Sequence, residues 1–182
     1  MPKSTPVKSL IKDLAADDLR DVIVELCKIN PKNRKLLELH ILSSNEANVE
    51  AINKEGKKKI YSHLYGNSMF PKIDLAGARK QVREYSKLLK DYPGQVADLQ
   101  LYYVETGTEI TNEFGDIDER FYSSMESMLG SFCKQILKHP VYYKRFRDRL
   151  INLEAACAGI GWGYHDAVAD MIYELMESFD DE

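Results

Sequence analysis

The chain is poor in the residues from which dedicated chemistry is built: it has three cysteines, four histidines and one tryptophan. Cys27, Cys133 and Cys157 are odd in number, far apart and outside any Cys-x-x-Cys pair. That excludes a disulfide framework and suits thiols acting as small core hydrophobes in a reducing cytoplasm. Cys133, His139, Cys157 and His165 could in principle ligate zinc, but no two of them have the spacing of a ligand pair, so no metal or other cofactor is expected. Of the remaining histidines, neither His40 nor His63 has a nucleophile at a diagnostic spacing.

Long apolar runs are missing as well. The longest stretch without formal charge is Ile60 to Pro71, well short of the roughly 20 residues that span a bilayer. The opening residues, "MPKSTPVKSL", lack the apolar core of a signal peptide. The expectation is a cytoplasmic protein without a membrane partner. Positive charge is in deficit, with 25 lysines and arginines against 29 acids and a net charge of −4. That makes nucleic acid an unlikely partner, since domains dedicated to it usually carry a basic excess.

What the chain does have is helical period. "FYSSMESMLGSFCKQIL" places Phe121, Met125, Met128, Leu129, Phe132 and Ile136 on one stripe at steps of three and four. Val168, Met171, Ile172, Leu175, Met176 and Phe179 repeat the pattern, as do Ala78, Val82, Tyr85, Leu88, Leu89 and Tyr92. A fourth stripe, Leu19, Val22, Ile23 and Leu26, begins after Asp17 or Asp18 as a plausible N-cap. Stripes of this kind are core far more often than cofactor boxes.

Pro31, Pro93 and Pro140 each follow an apolar, lysine-bearing helix end, and proline is tolerated where a helix begins because its missing N–H costs nothing there. Short junctions of this sort pack successive helices antiparallel. The intervals between them differ, so there is no fixed repeat. The expected fold is all-α: an irregular stack of antiparallel helical hairpins, like a short α-solenoid or a folded-over bundle, with seven to nine helices in a single domain over 1–182. One segment, "ADLQLYYVETGTEIT", alternates like a strand at Leu99, Leu101 and Tyr103. With no second strand to pair with, it reads as helix, with Gly107 as a break or bend.

Three stretches could carry function. "GIGWGYHD" has glycines at 159, 161 and 163, but a dinucleotide fingerprint needs GxGxxG after a strand, and the preceding "RLINLEAACA" is helical in pattern. The expectation is a tight corner with glycine ending one helix, Trp162 anchoring by packing, and His165 or Asp166 in the first turn of the last helix. The second stretch runs from Glu105 to Glu126 and holds seven acids against Arg120 alone. Its "GDID" lacks the D-x-D-x-D-G of an EF-hand, so Asp116 or Asp118 is expected to cap the next helix. The third is a pair of basic runs, "KEGKKK" at 54–59 and "KHPVYYKRFRDR" at 138–149. There lysine and arginine alternate with Tyr142, Tyr143 and Phe146, a mixture able to grip phosphates and stack rings.

"LQLYYVETGTEITNEFGDIDERFYSSMESM" and "GIGWGYHDAVADMIYEL" resemble the two most distinctive blocks of an uncharacterised bacterial family, domain of unknown function 6155. The likeness covers most of the chain after about Asp74; residues 1–73 follow more loosely, through "DLRDVIVELCKINP". It implies a bacterial origin and a helical protein of this length, with no assigned activity. It also implies that the polar motif residues that matter are Tyr103, Glu105, Gly107, Thr111, Asn112, Gly115, Asp116, Asp118, Tyr122, Ser124, Glu126, Ser127, Gly161, Trp162, Gly163, His165 and Asp166.

The expectation for function is a helical binding or interaction module, taking a protein partner or a small polar ligand. The alternative is an enzyme, or a small-ligand or divalent-cation binding protein. Its polar pocket would join Tyr103, Glu105, Asn112, Asp116, Asp118, Tyr122 and Glu126 to the corner of Trp162, His165 and Asp166. The two readings differ on whether these blocks meet in space.

Overall fold

A computed structural model describes residues 7–30, 33, 34, 37, 41, 46–66 and 70–180. Their helices are α1 (Val7–Leu10), α2 (Ala16–Ile29), α3 (Glu46–Leu64), α4 (Leu75–Leu88), α5 (Pro93–Phe114), α6 (Glu119–Lys138), α7 (Tyr143–Ala156) and α8 (Tyr164–Asp180), with a 3₁₀ turn at Pro140–Tyr142. Among the described residues there is no strand, and no helix is long and apolar enough to cross a membrane. The all-α stack expected from the stripes and prolines is the fold the chain adopts.

The central element is α5, which packs on α3, α4, α6 and α7, while α8 closes against α6 and α7. This placement explains the strand-like alternation of "ADLQLYYVETGTEIT". A helix surrounded on most sides is apolar at most positions, so period alone cannot separate it from a buried strand. Leu99, Leu101, Tyr103, Val104 and Ile110 are all buried. Gly107 does not break the helix. A Cβ there would stand 2.3 Å from Met125 Sδ, so glycine lets α6 approach α5 closely.

The α6 stripe is buried in full. In α8, Val168, Ile172 and Leu175 are buried, and Met171, Met176 and Phe179 pack partly buried against them. Asp118 caps α6, its Oδ1 accepting from Phe121 N–H at 2.7 Å. Asp74 does the same for α4 through Gly77 N–H at 2.9 Å. Pro93 opens α5 and Pro140 opens the 3₁₀ turn, as their positions imply; Pro31 lies outside the described residues.

The N-terminal stripe behaves differently. No residue of α2 is buried, and Val22, Ile23 and Leu26 are exposed. Its N-cap is Ala15, without a side-chain bond, while Asp17 and Asp18 sit in the first turn. There they favour the positive end of the helix dipole instead of capping it.

Candidate functional site

The two odd blocks of the sequence do meet. The loop from Gly115 to Asp118, between α5 and α6, lies beside the 157–163 corner between α7 and α8. A Cβ on Gly161 would stand 2.8 Å from Asp116 Oδ2, so this backbone passes directly over the carboxylate. Asn112 Nδ2 donates to the Ala156 carbonyl at 2.8 Å. The Tyr122 hydroxyl donates to Asp116 Oδ1 at 2.9 Å, and its ring lies 4.9 Å from that of Tyr164. Tyr164 in turn shares a 2.9 Å hydrogen bond with Thr108 beside the buried Cys157 thiol. Burial pushes that thiol up to about 11.

The three glycines serve two purposes. Gly159 and Gly163 have positive φ, which glycine alone adopts without strain. Gly161 is needed for the close approach to Asp116. Trp162, expected to anchor the corner by packing, does not: it is 61% exposed, with φ of 61°. The left-handed backbone at Trp162 itself and at Gly163 accompanies this outward position.

The other residues named from the sequence separate. Glu126 is half-buried on α6, close enough for its charge to act on the Tyr164 hydroxyl. His165 Nε2 lies 3.4 Å from Glu154 on α7 and not against the acidic block. Asp166 is exposed in the first turn of α8. Tyr103 is buried further along the interface of α5 with α6, sharing a 2.7 Å hydrogen bond with Ser124, whose carbonyl accepts from Arg79. The acids of the block are thus divided among structural tasks. Glu113 accepts from Tyr65, Asp116 from Tyr122, and Asp118 caps α6. Among the described residues no group of three or more histidines, cysteines and acids could hold a metal ion.

Glu105 alone leads elsewhere, to a cleft of about 570 Å³ between α3, α5 and α7. It is lined by Glu50, Asn53, Lys54 and Lys57 from α3, Gln95 and Asp98 from α5, and Arg145 and Arg149 from α7. Every one of these side chains is polar. Asp98 is the hub and is only 5% exposed. Its Oδ1 accepts from Arg149 Nη1 at 2.5 Å and its Oδ2 from Lys57 Nζ at 2.8 Å, with Arg145 Nη2 at 4.0 Å.

Arg149 also makes a two-pronged bond to Glu105, Nε to Oε1 at 2.8 Å and Nη2 to Oε2 at 2.6 Å. Both guanidinium groups lie over the Phe146 ring, at 5.4 and 5.5 Å, and Lys57 lies over Tyr102 at 5.3 Å. Burial alone would raise the Asp98 carboxyl. The hydrogen bonds and charges of Lys57 and Arg149 outweigh it and hold the group below the usual carboxylate range. Asn53, also buried, donates to the Gln95 carbonyl at 3.0 Å and fixes α3 against the start of α5.

Sequence reasoning singled out neither Asp98 nor Arg149, yet it did mark the two basic runs. Lys54 and Lys57 come from the first, Arg145 and Arg149 from the second. The runs are remote along the chain and converge on one cleft.

No family model matches the chain, and neither the curated proteins nor the solved structures contain a match.

Proposed function

We propose that this helical stack is a binding module that takes a small anionic ligand, bearing phosphate or a comparable group, in the cleft between α3, α5 and α7. The observation that carries this reading is the convergence of Lys57, Arg145 and Arg149 on the single buried carboxylate of Asp98. A structural ion pair needs one cation. Here Glu105 balances part of the excess, and the cleft still holds four cations, Lys54, Lys57, Arg145 and Arg149, against the three carboxylates of Glu50, Asp98 and Glu105. Arg145 and Arg149 are like charges one helical turn apart, an arrangement that destabilises a helix by itself. Opposite charge placed between them offsets that, and a bound anion would add to it. Arginine also suits the task, because its planar fork matches phosphate and carboxylate oxygens.

A cleft walled by eight polar side chains is also a poor way to pack three helices. A polar occupant accounts for it. A cytoplasmic, bacterial setting, implied by the cysteine pattern and the family resemblance, belongs to the same proposal.

The test is thermal unfolding with pyrophosphate against chloride at matched ionic strength. A ligand that binds only the folded state raises stability with its concentration. The reading expects such a rise in the wild type and its loss in Lys54→Gln/Arg145→Gln, whose sites stand at the cleft rim. Equal melting curves in the two salts would overturn it.

A further inference from the structure

The charged cleft does not end at Arg145. Gln95 and Arg145 also wall a second cavity of about 240 Å³, whose other lining residues are Val49, Tyr92, Gly94 and Tyr142. The chemistry changes across that shared wall. One lobe carries cations and hydrogen-bonding groups; the other carries two tyrosine rings, a valine and a bare glycine. Together they fall within the roughly 300–1,000 Å³ in which small-molecule sites occur.

The second lobe depends on Gly94. A Cβ at that position would stand 2.7 Å from Tyr142 Cδ1 and Cε1 and 3.2 Å from its Cγ. Any other residue would displace the ring that forms the cavity wall. Pro93 and Gly94 are the first residues of α5, so this lobe also faces the positive end of a 22-residue helix. Gln95, at the junction, offers both a donor and an acceptor on its side-chain amide.

Resting on the cleft reading above, we infer that the ligand is a mononucleotide. Its phosphates sit among Lys54, Lys57 and Arg145, and its base sits in the lobe walled by Tyr92 and Tyr142. The order of the two lobes matches a molecule with a charged end joined to a flat aromatic one. Planar rings bind tyrosine-lined pockets without regard to base identity, so purine and pyrimidine nucleotides are expected to bind comparably. The acidic net charge of the whole chain argues for a free nucleotide over a nucleic acid strand.

The experiment is isothermal titration of the full chain with adenosine and uridine diphosphates, ribose 5-phosphate, pyrophosphate, adenosine and a short single-stranded oligonucleotide. The nucleotides are expected to bind about tenfold or more tighter than pyrophosphate or ribose 5-phosphate. That margin should survive in Tyr142→Phe and vanish in Tyr142→Ala and Gly94→Ala, with pyrophosphate affinity unchanged in all three. Each variant is first checked for a wild-type circular dichroism spectrum, and the Phe variant keeps the test valid if the alanine variant is unstable. Equal affinity for nucleotides and ribose 5-phosphate would overturn the inference and leave the anion cleft intact. Binding of none of the phosphates would overturn the cleft reading itself. An oligonucleotide binding more tightly than the mononucleotides would replace a free nucleotide with a strand.

Discussion

Asp98 and Arg149 are 51 residues apart in sequence, and their carboxylate and guanidinium meet at 2.5 Å between α5 and α7. This pair joins two helices that would otherwise part around the cleft. Removing Arg149 takes from Asp98 one of its two close cations and from Glu105 its two-pronged partner, at a cost of up to roughly 3–5 kcal/mol. Arg149→Met is expected to lose roughly 2–4 kcal/mol in urea unfolding, and Asp98→Asn/Arg149→Met to recover part of it. A loss below about 1 kcal/mol, the worth of an exposed pair, would contradict the network described.

The same pair sets a pH dependence. The Asp98 carboxyl is held below its ordinary value, so its contribution to stability is complete above the unfolded pKa of about 3.9 and is lost as pH falls through the lower folded value. The difference in melting temperature between wild type and Asp98→Asn should therefore be constant from pH 7 to about 5 and shrink in more acid solution. A difference that grows on acidification has the wrong sign for this account.

The meeting of the two motif blocks is tested at Gly161. Its φ is not in the left-handed region, so alanine is allowed by the backbone and opposed only by Asp116. Gly161→Ala should destabilise, and pairing it with Asp116→Ala should recover part of the loss. The expected coupling is on the order of 1 kcal/mol in a double-mutant cycle. Strict additivity would separate the blocks.

The solvent-facing position of Trp162 gives a prediction of opposite sign to that for a packed tryptophan. Removing a buried one costs about 3–5 kcal/mol. Here the side chain is mostly exposed and the backbone left-handed, so Trp162→Gly should leave chemical denaturation unchanged or raise stability by up to about 1 kcal/mol.

Why some of this was legible and some was not follows from how each feature is encoded. The α6 and α8 stripes are local, because helical period places Phe121, Met125 and Phe132 on one face whatever they pack against. Asp118 was legible as a cap for the same reason. Helix α5 was ambiguous because burial on most sides erases its period. The α2 stripe shows the converse: it has the amphipathic pattern without a buried side chain. The tight corner of "GIGWGYHD" was legible from its glycines, though Trp162 turned outward. The cleft was illegible because Lys57, Asp98 and Arg149 come from three helices, and no local pattern records which side chains a tertiary fold brings together. What the chain did display was its raw material, two basic runs, one of them interleaved with aromatics.

The thiols of Cys157, buried, and Cys133, partly buried beside Met171, give an independent check on packing. Burial raises both Cys133 and Cys157 to about 11, which leaves little thiolate at neutral pH. Iodoacetamide at pH 8 should spare both in the native protein and label them once it is unfolded. Rapid native labelling of Cys157 would mean that the contact of α5 with the 157–163 corner opens readily.

The location of the site is read most directly from the backbone amide NMR spectrum of the labelled protein titrated with pyrophosphate. Saturable shifts are expected on Lys54, Lys57, Gln95, Arg145 and Arg149, while Asp116 and residues 159–166 stay still. Shifts concentrated on the "GIGWGYHD" corner, or none that saturate, would contradict that location.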